Sequence, residues 1–456
     1  MSAPEIVTLG CRLNAAESEA MRALAGDQDD LVIINSCAVT AEAVKQARQE
    51  IRRAARRRPD ARILVTGCAA QIEPESFAAM PEVAAVIGNR EKREASSFLP
   101  SFRHPGEGRD PEPRNAAPEA PDPGLRRGDG WRVTRKADVR VSDIMTPDGT
   151  APHLVTGIGS RARAFLEVQT GCDHRCTFCI IPYGRGPSRS VPAGLIVDRI
   201  KALVDEGYNE VVLTGVDTTS YGPDLPGGQS LGQLVERVLT LVPGLQRLRL
   251  SSLDSVEIDA RLFELLTSEP RLQPHLHLSL QAGDDMILKR MKRRHSRAQV
   301  VEMVQRLKSA RPDIAIGADL IAGFPTETEA MADNTLSLLD DCDIVYGHIF
   351  PYSPRAGTPA AKMPQLDTAT IRARAKRLRA AADSRRARWL ETLIGTTQSL
   401  LIEGEDGRGH TGQYALARLA SGAAPRGAAT NRPARGDVVT TRITHIEDGI
   451  LVGEAF

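Results

Sequence analysis

Three cysteines near the middle of the chain stand at a spacing that suits an iron-sulfur cluster. They are Cys172, Cys176 and Cys179, with three residues in the first gap and two in the second. A closed [4Fe-4S] cluster takes four thiolates, and a closed zinc site takes four ligands, usually with two residues between paired cysteines. Because the sequence offers no fourth cysteine close to this triad, it predicts a cluster with one iron left open for chemistry. A zinc site completed by His174 is the alternative.

A second triad of cysteines lies in the first hundred residues. Cys11, Cys37 and Cys68 each follow a short apolar run and precede a helical stretch. In a doubly wound sheet the carboxyl ends of parallel strands line one crevice, so we expect these three thiols to converge on a single ligand. The alternative is that each is a small buried residue at the end of a strand. Cys342 does not belong to either group of cysteines and is assigned to the core.

The residues between 165 and 350 alternate short β-branched runs with amphipathic stretches of helical spacing. This order predicts consecutive βα units and a parallel sheet. After residue 393 the pattern changes to short alternating runs, which predict a small β domain. The predicted fold class is therefore α/β, with an N-terminal doubly wound α/β domain, a central partial (β/α)6 barrel and a small C-terminal β-barrel. The predicted barrel strands cover 164–168, 210–214, 246–250, 275–280, 313–316 and 343–346.

Length and composition are those of a soluble globular protein with two or three domains. The chain has 456 residues, of which 41% are hydrophobic and 26% are charged. Its start has neither the basic region nor the apolar core of a signal peptide, and no apolar run approaches the ~20 residues of a membrane span. The chain is therefore predicted to be cytoplasmic and without a membrane partner. Its seven cysteines are predicted to be thiols or metal ligands rather than disulfides.

A segment rich in Pro, Gly and charge separates the two cysteine triads. Residues 103–130 contain too few apolar side chains to build a core, so they are predicted to form a disordered insertion. The chain then divides into four parts. These are a first cysteine domain at 1–102, the insertion and linker at 103–152, the barrel domain at 153–392 and the small β domain at 393–456.

The residues around the central triad resemble the radical SAM superfamily. Gln169-Thr-Gly171 leads into the cysteine loop, and Phe178 precedes the last cysteine, as in that superfamily. There, S-adenosylmethionine (SAM) binds the open iron of a [4Fe-4S] cluster and is split into methionine and a 5'-deoxyadenosyl radical. The six βα units are similar to the partial TIM-type barrel of these enzymes, and the cysteine loop falls on the face where barrel enzymes place their chemistry.

The two triads together resemble the methylthiotransferase family over nearly the whole length of the chain. The stretches that stand in the family order are Thr8–Asn14, Asn35–Thr40, Thr66–Ala69, Ile180–Gly186 and Ile321–Glu327. The resemblance implies insertion of a methylthio group into an inert C–H bond. It also implies two [4Fe-4S] clusters, one that cleaves SAM and one that carries or donates sulfur. The implied ligands are Cys172, Cys176 and Cys179 for the first cluster and Cys11, Cys37 and Cys68 for the second.

Further site residues are predicted from their positions at strand ends and in the loops that follow. The resemblance implies that SAM is held on this reactive face, although each candidate could equally be a capping or turn residue. Asp217 and Tyr221 are the candidates for facing the substrate, with shaping of the loop as the alternative. The candidates for holding SAM are Phe178, Thr214, Gly215, Ser279, Gln281 and Asp319.

Two motifs bear on the substrate. Thr8–Asn14 and Leu213–Gly222 resemble the branch of the family that modifies N6-threonylcarbamoyladenosine at position 37 of tRNA. The alternatives within the family are the branches that act on N6-isopentenyladenosine in tRNA and on an aspartate of a ribosomal protein. An alternative of another class is a zinc-stabilised, non-catalytic RNA-binding protein, which the spacing of the central cysteines disfavours.

The implied partners are a tRNA anticodon stem-loop and a one-electron donor, with the chain acting as a monomer. A net formal charge of +1 does not by itself indicate nucleic acid, but basic residues cluster in 48–58, 289–297 and 372–388. Such clusters attract phosphates, and a solvated basic helix face is the alternative. Residues 393–456 resemble the TRAM domain, a small barrel that binds RNA in related proteins.

Overall fold

The computed structural model describes residues 3–99, 137–145, 162–420 and 433–456. Its first domain is a five-stranded sheet in which every neighbouring pair is parallel and the strands follow the order of the sequence. The strands are β1 (Glu5–Thr8), β2 (Leu31–Ser36), β3 (Arg62–Gly67), β4 (Ala85–Ile87) and β5 (Asp138–Arg140). The helices are α1 (Arg12–Ala25), α2 (Ala41–Arg57), α3 (Cys68–Ile72) and α4 (Pro74–Ala78).

Helices cover both faces of this sheet. α1 packs on the face that carries Leu31 and Ile33, while α2 packs on the face that carries Val32 and Ile34. Because both sides of β2 are covered, all of its residues are buried, which explains its continuous apolar run. The predicted layered α/β arrangement of the first domain is confirmed.

The strand β5 lies within the range that the sequence assigned to the insertion and linker. It pairs with β4 at the edge of the sheet, where Val139 lies opposite Val86. The range 103–152 therefore contains a strand of the first domain. Three residues are too few to show a strand pattern in the sequence, and this strand is defined by its pairing with β4. The predicted disordered insertion at 103–130 lies outside the described residues.

The central domain is an open barrel of six parallel strands, as predicted. Two three-stranded sheets, ordered β10-β9-β6 and β11-β12-β13, are joined by parallel bridges from Leu248 to Leu272 and from Leu253 to Leu278. The strands are β6 (Ala164–Glu167), β9 (Glu210–Thr214), β10 (Arg247–Leu250), β11 (His275–Gln281), β12 (Ala315–Ala322) and β13 (Ile344–Pro351), with a short pair β7 (Gln169–Thr170) and β8 (Arg189–Ser190). The helices are α5 (Ile181–Arg185), α6 (Ala193–Asp205), α7 (Leu231–Leu241), α8 (Ala260–Ser268), α9 (Asp285–Arg290), α10 (Arg297–Ala310), α11 (Glu329–Asp341) and α12 (Thr368–Thr392).

The barrel strands are apolar on one side and polar on the other. In β10, Leu248 and Leu250 pack in the main hydrophobic core with the surrounding helices, while Arg247 and Arg249 alternate with them. In β11 the leucines face the same core and His275 and His277 alternate with them. The inside of this open barrel is therefore polar, which suits a binding site rather than a packed core.

The long helix α12 leads from the barrel to the last domain. Asp367 caps its start by accepting from the backbone N–H of Thr370 at 2.8 Å. Its buried residues Leu378 and Ala382 belong to the main core of the barrel domain, while Leu390 packs in the core of the last domain. Within the described ranges, no helix combines the length and the apolar content that crossing a membrane requires.

The C-terminal domain is a closed five-stranded barrel with its own small apolar core, as predicted. Its strands are arranged in the order β14-β15-β16-β18-β17. They are β14 (Thr397–Ile402), β15 (Arg408–His410), β16 (Leu416–Leu419), β17 (Val438–Glu447) and β18 (Ile450–Ala455). Closure leaves this small domain without an unpaired sheet edge.

Buried arginines of the large barrel hold the C-terminal domain in place. Arg247 and Arg249 donate to the carboxylate of Glu210 at 2.7 and 2.9 Å, and to the carbonyl of Thr411 at 3.2 and 2.7 Å. Arg163 adds a third ion pair to Glu210 at 2.9 Å. The small barrel is thus fixed to the large one by hydrogen bonds to charged groups, in addition to its covalent link through α12.

Candidate functional site

The first cysteine triad lies at the carboxyl edge of the N-terminal sheet. Cys11 stands between β1 and α1, Cys37 directly follows β2, and Cys68 is the first residue of α3. Burial raises the pKa of Cys37 to about 11, and the charges of Cys68 and Cys11 add to the increase. The structure therefore brings these three thiols together, although they come from three separate strand ends.

Two glycines permit this close approach. Gly10 has φ +99°, and a Cβ at this position would lie 2.9 Å from Sγ of Cys37. Gly67 has φ +93°, and a Cβ there would lie 2.3 Å from the carbonyl oxygen of Ser36. Both positions combine a left-handed backbone with contact too tight for a side chain, so both require glycine.

A buried ion cluster lies beside this triad and is completed by the barrel domain. Arg185, the last residue of α5, donates to the two carboxylate oxygens of Glu17 at 2.6 and 2.9 Å and to Oδ1 of Asn14 at 2.6 Å. Nζ of Lys92 lies 2.7 Å from the same carboxylate. Burial by itself would raise the pKa of Glu17, but Arg185 and Lys92 outweigh it and hold that pKa well below its usual value.

The cluster carries more positive charge than Glu17 neutralises. Burial by itself would lower the pKa of Arg185, but the charges of Cys68 and Glu17 outweigh it and hold that pKa well above its usual value. Burial lowers the pKa of Lys92, and the charge of Glu17 opposes that shift. Buried cations of this kind need anions beside them, so the cluster suits an anionic group bound at the first triad.

The second cysteine triad lies in the loop between β7 and α5, and backbone hydrogen bonds hold it in shape. The N–H of Cys172 donates to the carbonyl of Gly186 at 3.1 Å. Thr177 donates through its N–H to Met291 at 3.1 Å and through its hydroxyl to Arg290 at 2.8 Å. The loop is thus tied to the end of α9 on the other side of the barrel mouth.

The thiols of this loop lie in a buried setting that reaches toward the first triad. Burial raises the pKa of Cys179 to about 12, and the nearby charges of Cys176 and Cys68 contribute to the increase. Burial, followed by the charge of Asp217, raises the pKa of Cys172. The first triad lies close by, since a Cβ on Gly184, in the helix that follows this loop, would be 3.3 Å from Cβ of Cys68 across the boundary between the two domains.

The ring of His174 is held by carboxylates. Its Nε2 lies 2.9 Å from Oδ2 of Asp217 and 3.6 Å from Oε1 of Glu257. Hydrogen bonds to these two groups raise the pKa of His174 to about 10. In this structure Nε2 of His174 is therefore engaged by two carboxylates.

The donor sets suit one iron-sulfur cluster at each triad. Each offers three thiols, the ligands that such clusters use. The remaining cysteine, Cys342, is fully buried among apolar side chains of the main core. Among the described residues, each triad would supply three thiol ligands to such a cluster and leave a fourth position for a small molecule.

Comparison with known proteins agrees with this geometry. The family described as "Radical SAM superfamily" matches residues 166–339, and the family described as "Uncharacterized protein family UPF0004" matches residues 4–88. A threonylcarbamoyladenosine tRNA methylthiotransferase (MtaB) from Rickettsia prowazekii is 48% identical over 402 residues, which cover 88% of this chain and 87% of that protein. The chain belongs to the methylthiotransferase family of radical SAM enzymes.

Two further proteins show how far the likeness extends. A tRNA-2-methylthio-N(6)-dimethylallyladenosine synthase from Erythrobacter litoralis is 30% identical over 90% of this chain and 88% of that protein. Among solved structures, the radical SAM methyltransferase TsrM from Kitasatospora setae, with cobalamin and a [4Fe-4S] cluster bound, has a TM-score of 0.50. It is 18% identical, and the match covers 76% of this chain and 68% of that chain, so it shows the fold alone. Membership of the methylthiotransferase family implies SAM and a [4Fe-4S] cluster as cofactors.

The predicted cofactor residues of this methylthiotransferase are found around the barrel mouth. The ring of Phe178 meets that of Phe324 edge-on, with centroids 6.5 Å apart. Thr214 ends β9, and a Cβ on Gly215 would lie 2.8 Å from the carbonyl oxygen of Gln169. The backbone here passes too close to Gln169 for a side chain at position 215.

The other three candidates lie on β11 and β12. The carbonyl of Ser279 accepts from Arg293 at 2.7 Å, and Gln281 ends β11 with φ +72°. Asp319 lies within β12, where Oδ1 is 3.0 Å from Nε2 of His277 and 3.3 Å from Nδ1 of His348. It therefore lies on the inner wall of the barrel rather than at the end of a strand.

The two candidates for facing substrate differ in position. Asp217 lies beside the cysteine loop, with Oδ2 3.5 Å from Sγ of Cys172. Tyr221 is almost fully buried, packs in the main core and donates its hydroxyl to the carbonyl of Val191 at 2.7 Å. The structure thus places Tyr221 in the core of the barrel domain.

Several charged residues at the site were not singled out from the sequence. Arg293 donates to Asp254 at 2.9 Å and lies 3.8 Å from Sγ of Cys176, but it stood in a basic run assigned to RNA. Arg185 and Glu17 stood within or beside family motifs without a role. A motif shows which residues recur together, whereas the pairing of Arg185 with Glu17 joins residues of different domains and is visible only in the fold.

Proposed function

We propose that this chain is the tRNA methylthiotransferase that converts N6-threonylcarbamoyladenosine at position 37 into its 2-methylthio derivative. The observation that carries the proposal is the 48% identity, over 88% of the chain, to a protein named for that reaction. The relative named for dimethylallyladenosine is 30% identical. The structure adds that both cysteine triads needed for such a reaction lie at one domain boundary.

We infer that Cys172, Cys176 and Cys179 hold the SAM-binding [4Fe-4S] cluster, and that Cys11, Cys37 and Cys68 hold a second one. When bound, SAM and the clusters supply radical chemistry and the methylthio group. The support for the second cluster is the convergence of its three thiols and the surplus of buried positive charge beside them, since thiolate-ligated clusters are anionic.

The side chains of the barrel mouth would then bind and orient SAM. Asp217 and the ion pair of Arg293 with Asp254 border the cysteine loop and fix its shape. The residues that line the same mouth and are proposed to hold SAM are Phe178, Thr214, Gly215, Ser279, Gln281 and Asp319. Asp217 stays the candidate that faces the substrate, and Tyr221 is assigned to the core.

The proposed macromolecular partner is the anticodon stem-loop of tRNA, and a one-electron donor is required. The C-terminal barrel is proposed to contact RNA, and the chain is proposed to act as a monomer. The proposed domain boundaries lie near residues 152 and 392, because β5, beyond residue 102, pairs with the sheet of the first domain. The basic cluster at 372–388 supports RNA binding less than its number of arginines suggests, because several of them pair with carboxylates of the protein. On α12, Arg374 pairs with Glu327 at 2.9 Å and Arg377 with Asp333 at 3.0 Å.

The test is a nucleoside profile of tRNA treated with the reconstituted enzyme, SAM and a reductant. We expect 2-methylthio-N6-threonylcarbamoyladenosine from tRNA that carries the threonylcarbamoyl group, and little product from tRNA that carries the isopentenyl group. Cys→Ala variants of either triad should abolish the product. Cys342→Ala is the matched control, because that thiol lies in the core, and it should retain activity. Product only on isopentenyladenosine, or only on a ribosomal-protein aspartate, would refute the proposed substrate.

Metal analysis separates the enzyme from a zinc-stabilised binding protein. About eight irons per chain after anaerobic reconstitution, falling to about four when either triad is replaced, are expected for two [4Fe-4S] sites. Zinc without iron would refute the radical enzyme and favour the binding protein.

A further inference from the structure

Polar rings line a continuous wall inside the open barrel, and several guanidinium groups, that of Arg12 among them, lie over one of these rings. The ring of Tyr414 stacks on His275 with centroids 5.1 Å apart, and His275 lies 6.4 Å from His277. His277 in turn lies 4.6 Å from His348. The guanidinium carbon of Arg12 lies 5.1 Å from the centre of the Tyr414 ring. This set is called the ring wall below.

Arg12 brings the ring wall next to the first cysteine triad. It directly follows Cys11 in the chain and begins α1, yet its guanidinium reaches the barrel interior. Burial lowers the pKa of His275 well below its usual value, and the charges of Arg12 and His348 are among the further causes. Both of these groups therefore lie near the same ring.

Arg12 differs from the other arginines of the barrel interior in its pairing. Arg163, Arg247 and Arg249 all bind the carboxylate of Glu210. Within the part of the chain that the structure describes, no carboxylate pairs with Arg12, which is half-buried over Tyr414. A partly desolvated guanidinium of this kind is a binding site for a planar anion.

The far end of the ring wall is open to a ligand. The side chain of His348 is 59% exposed, while its Nδ1 is held by Asp319 at 3.3 Å. A Cβ at Gly317 would lie 2.4 Å from Nδ1 of His277, so the absence of a side chain there leaves that imidazole room. The wall thus offers donors at both ends, and no apolar pocket is formed by these side chains.

We propose that the ring wall recognises the carboxylate of the N6-threonylcarbamoyl group, with Arg12 as its counter-charge and His348 as a second donor. This inference rests on the proposed function and names the residues that decide its specificity. The threonylcarbamoyl substituent carries a carboxylate, a hydroxyl and a urea, whereas the isopentenyl substituent is a hydrocarbon without charge. Among the described residues Arg12 is a cation of this wall without a carboxylate partner, and the exposed imidazole of His348 is oriented by Asp319. This arrangement suits the charged substituent and offers no comparable contact to the hydrocarbon.

The chemistry of adenine places the two reacting regions side by side. C2, where the methylthio group is added, and the N6 substituent both flank N1 on one edge of the ring. A base whose C2 is presented to the first triad therefore presents its N6 substituent within reach of the residue that follows Cys11. Arg12 occupies that position.

The test compares two anticodon stem-loops, one with the free threonylcarbamoyl carboxylate and one with its methyl ester. Binding is measured on the full-length metal-free chain by fluorescence anisotropy, and KM and kcat are measured on the reconstituted enzyme. We expect the wild type to prefer the free acid by about 10- to 100-fold, as for a hydrogen-bonded charge pair. Arg12→Gln should lose this preference, mainly through KM, and Arg12→Lys should retain most of it. His348→Gln should reduce it by about 2- to 10-fold.

Arg22→Gln is the matched control, since Arg22 lies on the same helix but pairs with Glu19 at the surface, at 3.7 Å. It should keep the wild-type preference. If Arg12→Gln still prefers the free acid to the same extent in metal-free binding, the inference is overturned and the proposed function stands. If the wild-type enzyme is inactive on both stem-loops but active on the isopentenyl substrate, the proposed function fails and the inference fails with it.

Discussion

Replacing Glu17 by Gln tests whether the buried ion cluster holds the two cysteine domains together. The substitution keeps the shape of the side chain but removes the only carboxylate that pairs with Arg185 and Lys92 among the described residues. Both cations are almost completely buried. Removing one partner of a buried ion pair costs about 3–5 kcal/mol of unfolding free energy, because the remaining charge is left without compensation.

The sign of the pH dependence follows from the pKa of Glu17. The folded-state pKa is held below the usual value of 4.5. The carboxylate therefore contributes its full stabilisation above that pH and loses it as the pH falls further. Wild-type stability should decrease with acid in this range, and the Glu17→Gln variant should lack that part of the decrease.

Urea unfolding of the metal-free chain, followed by circular dichroism, measures the effect without interference from bound cofactors. With a slope of about 3 kcal/mol/M, the loss corresponds to a midpoint shift of about 1 M or more. Glu42→Gln is the control, because its pairing with Lys45 is exposed and worth at most about 1 kcal/mol. Adding Arg185→Met to the Glu17→Gln variant should restore part of the lost unfolding free energy, because it removes the cation left without a partner. Equal midpoints for Glu17→Gln and the control would refute the reasoning.

Three further changes test other parts of the structure. Gly10→Ala should lower the iron content from about eight to about four per chain, because the added methyl group would collide with Cys37. Gly26→Ala is the control, because a methyl group there would have no atom within 4 Å, and it should leave the iron content unchanged. Unchanged iron in the Gly10→Ala variant would contradict the assignment of Cys11, Cys37 and Cys68 to a cluster. Tyr221→Phe should cost about 1 kcal/mol of unfolding free energy with unchanged turnover, and a large fall in turnover would instead return Tyr221 to the substrate site. Burial raises the pKa of Glu210 but its three arginines outweigh it and lower the value to about 2, so the melting temperature should decrease as the pH falls from about 4.5 toward 2. Glu210→Gln should remove the part of that pH dependence that belongs to Glu210 and leave the part that belongs to Glu17. A variant whose melting temperature falls as steeply with acid as that of the wild type would contradict the ion pairing.

The sequence predicted the barrel strands well where they are apolar and less well where they are polar. β9 and β10 lie within one residue of the predicted ranges. β12 and β13 extend well beyond theirs, to Ala322 and Pro351. The second half of β13 is largely exposed, with only Ile349 buried, so it lacks the continuous apolar run of a strand covered on both sides. The second half of β12 is buried apart from Asp319, and this one charged residue interrupts the apolar run.

The cysteine ligands were predictable because their signal is local. Three thiols within eight residues, or one thiol after each of three apolar runs, are visible without any knowledge of the fold. The ion cluster was not predictable in this way, since Arg185 and Glu17 are 168 residues apart in the chain. Ion pairs depend on tertiary structure, whereas spacing motifs depend on a single loop.

The basic runs are a second case in which the sequence does not reveal ion pairs, and these ion pairs affect how strongly RNA can bind. A run of arginines in the sequence predicts attraction to phosphates, which releases counterions from the nucleic acid. On α12, however, Arg385 contacts Asp340 and Asp343, so it must break a protein ion pair before it can bind a phosphate. Such an arginine adds less to affinity than an unpaired one, because each new contact is offset by a lost one. Recognition of the substrate by this chain should therefore depend more on Arg12, which has no carboxylate partner among the described residues, than on the number of arginines in its helices.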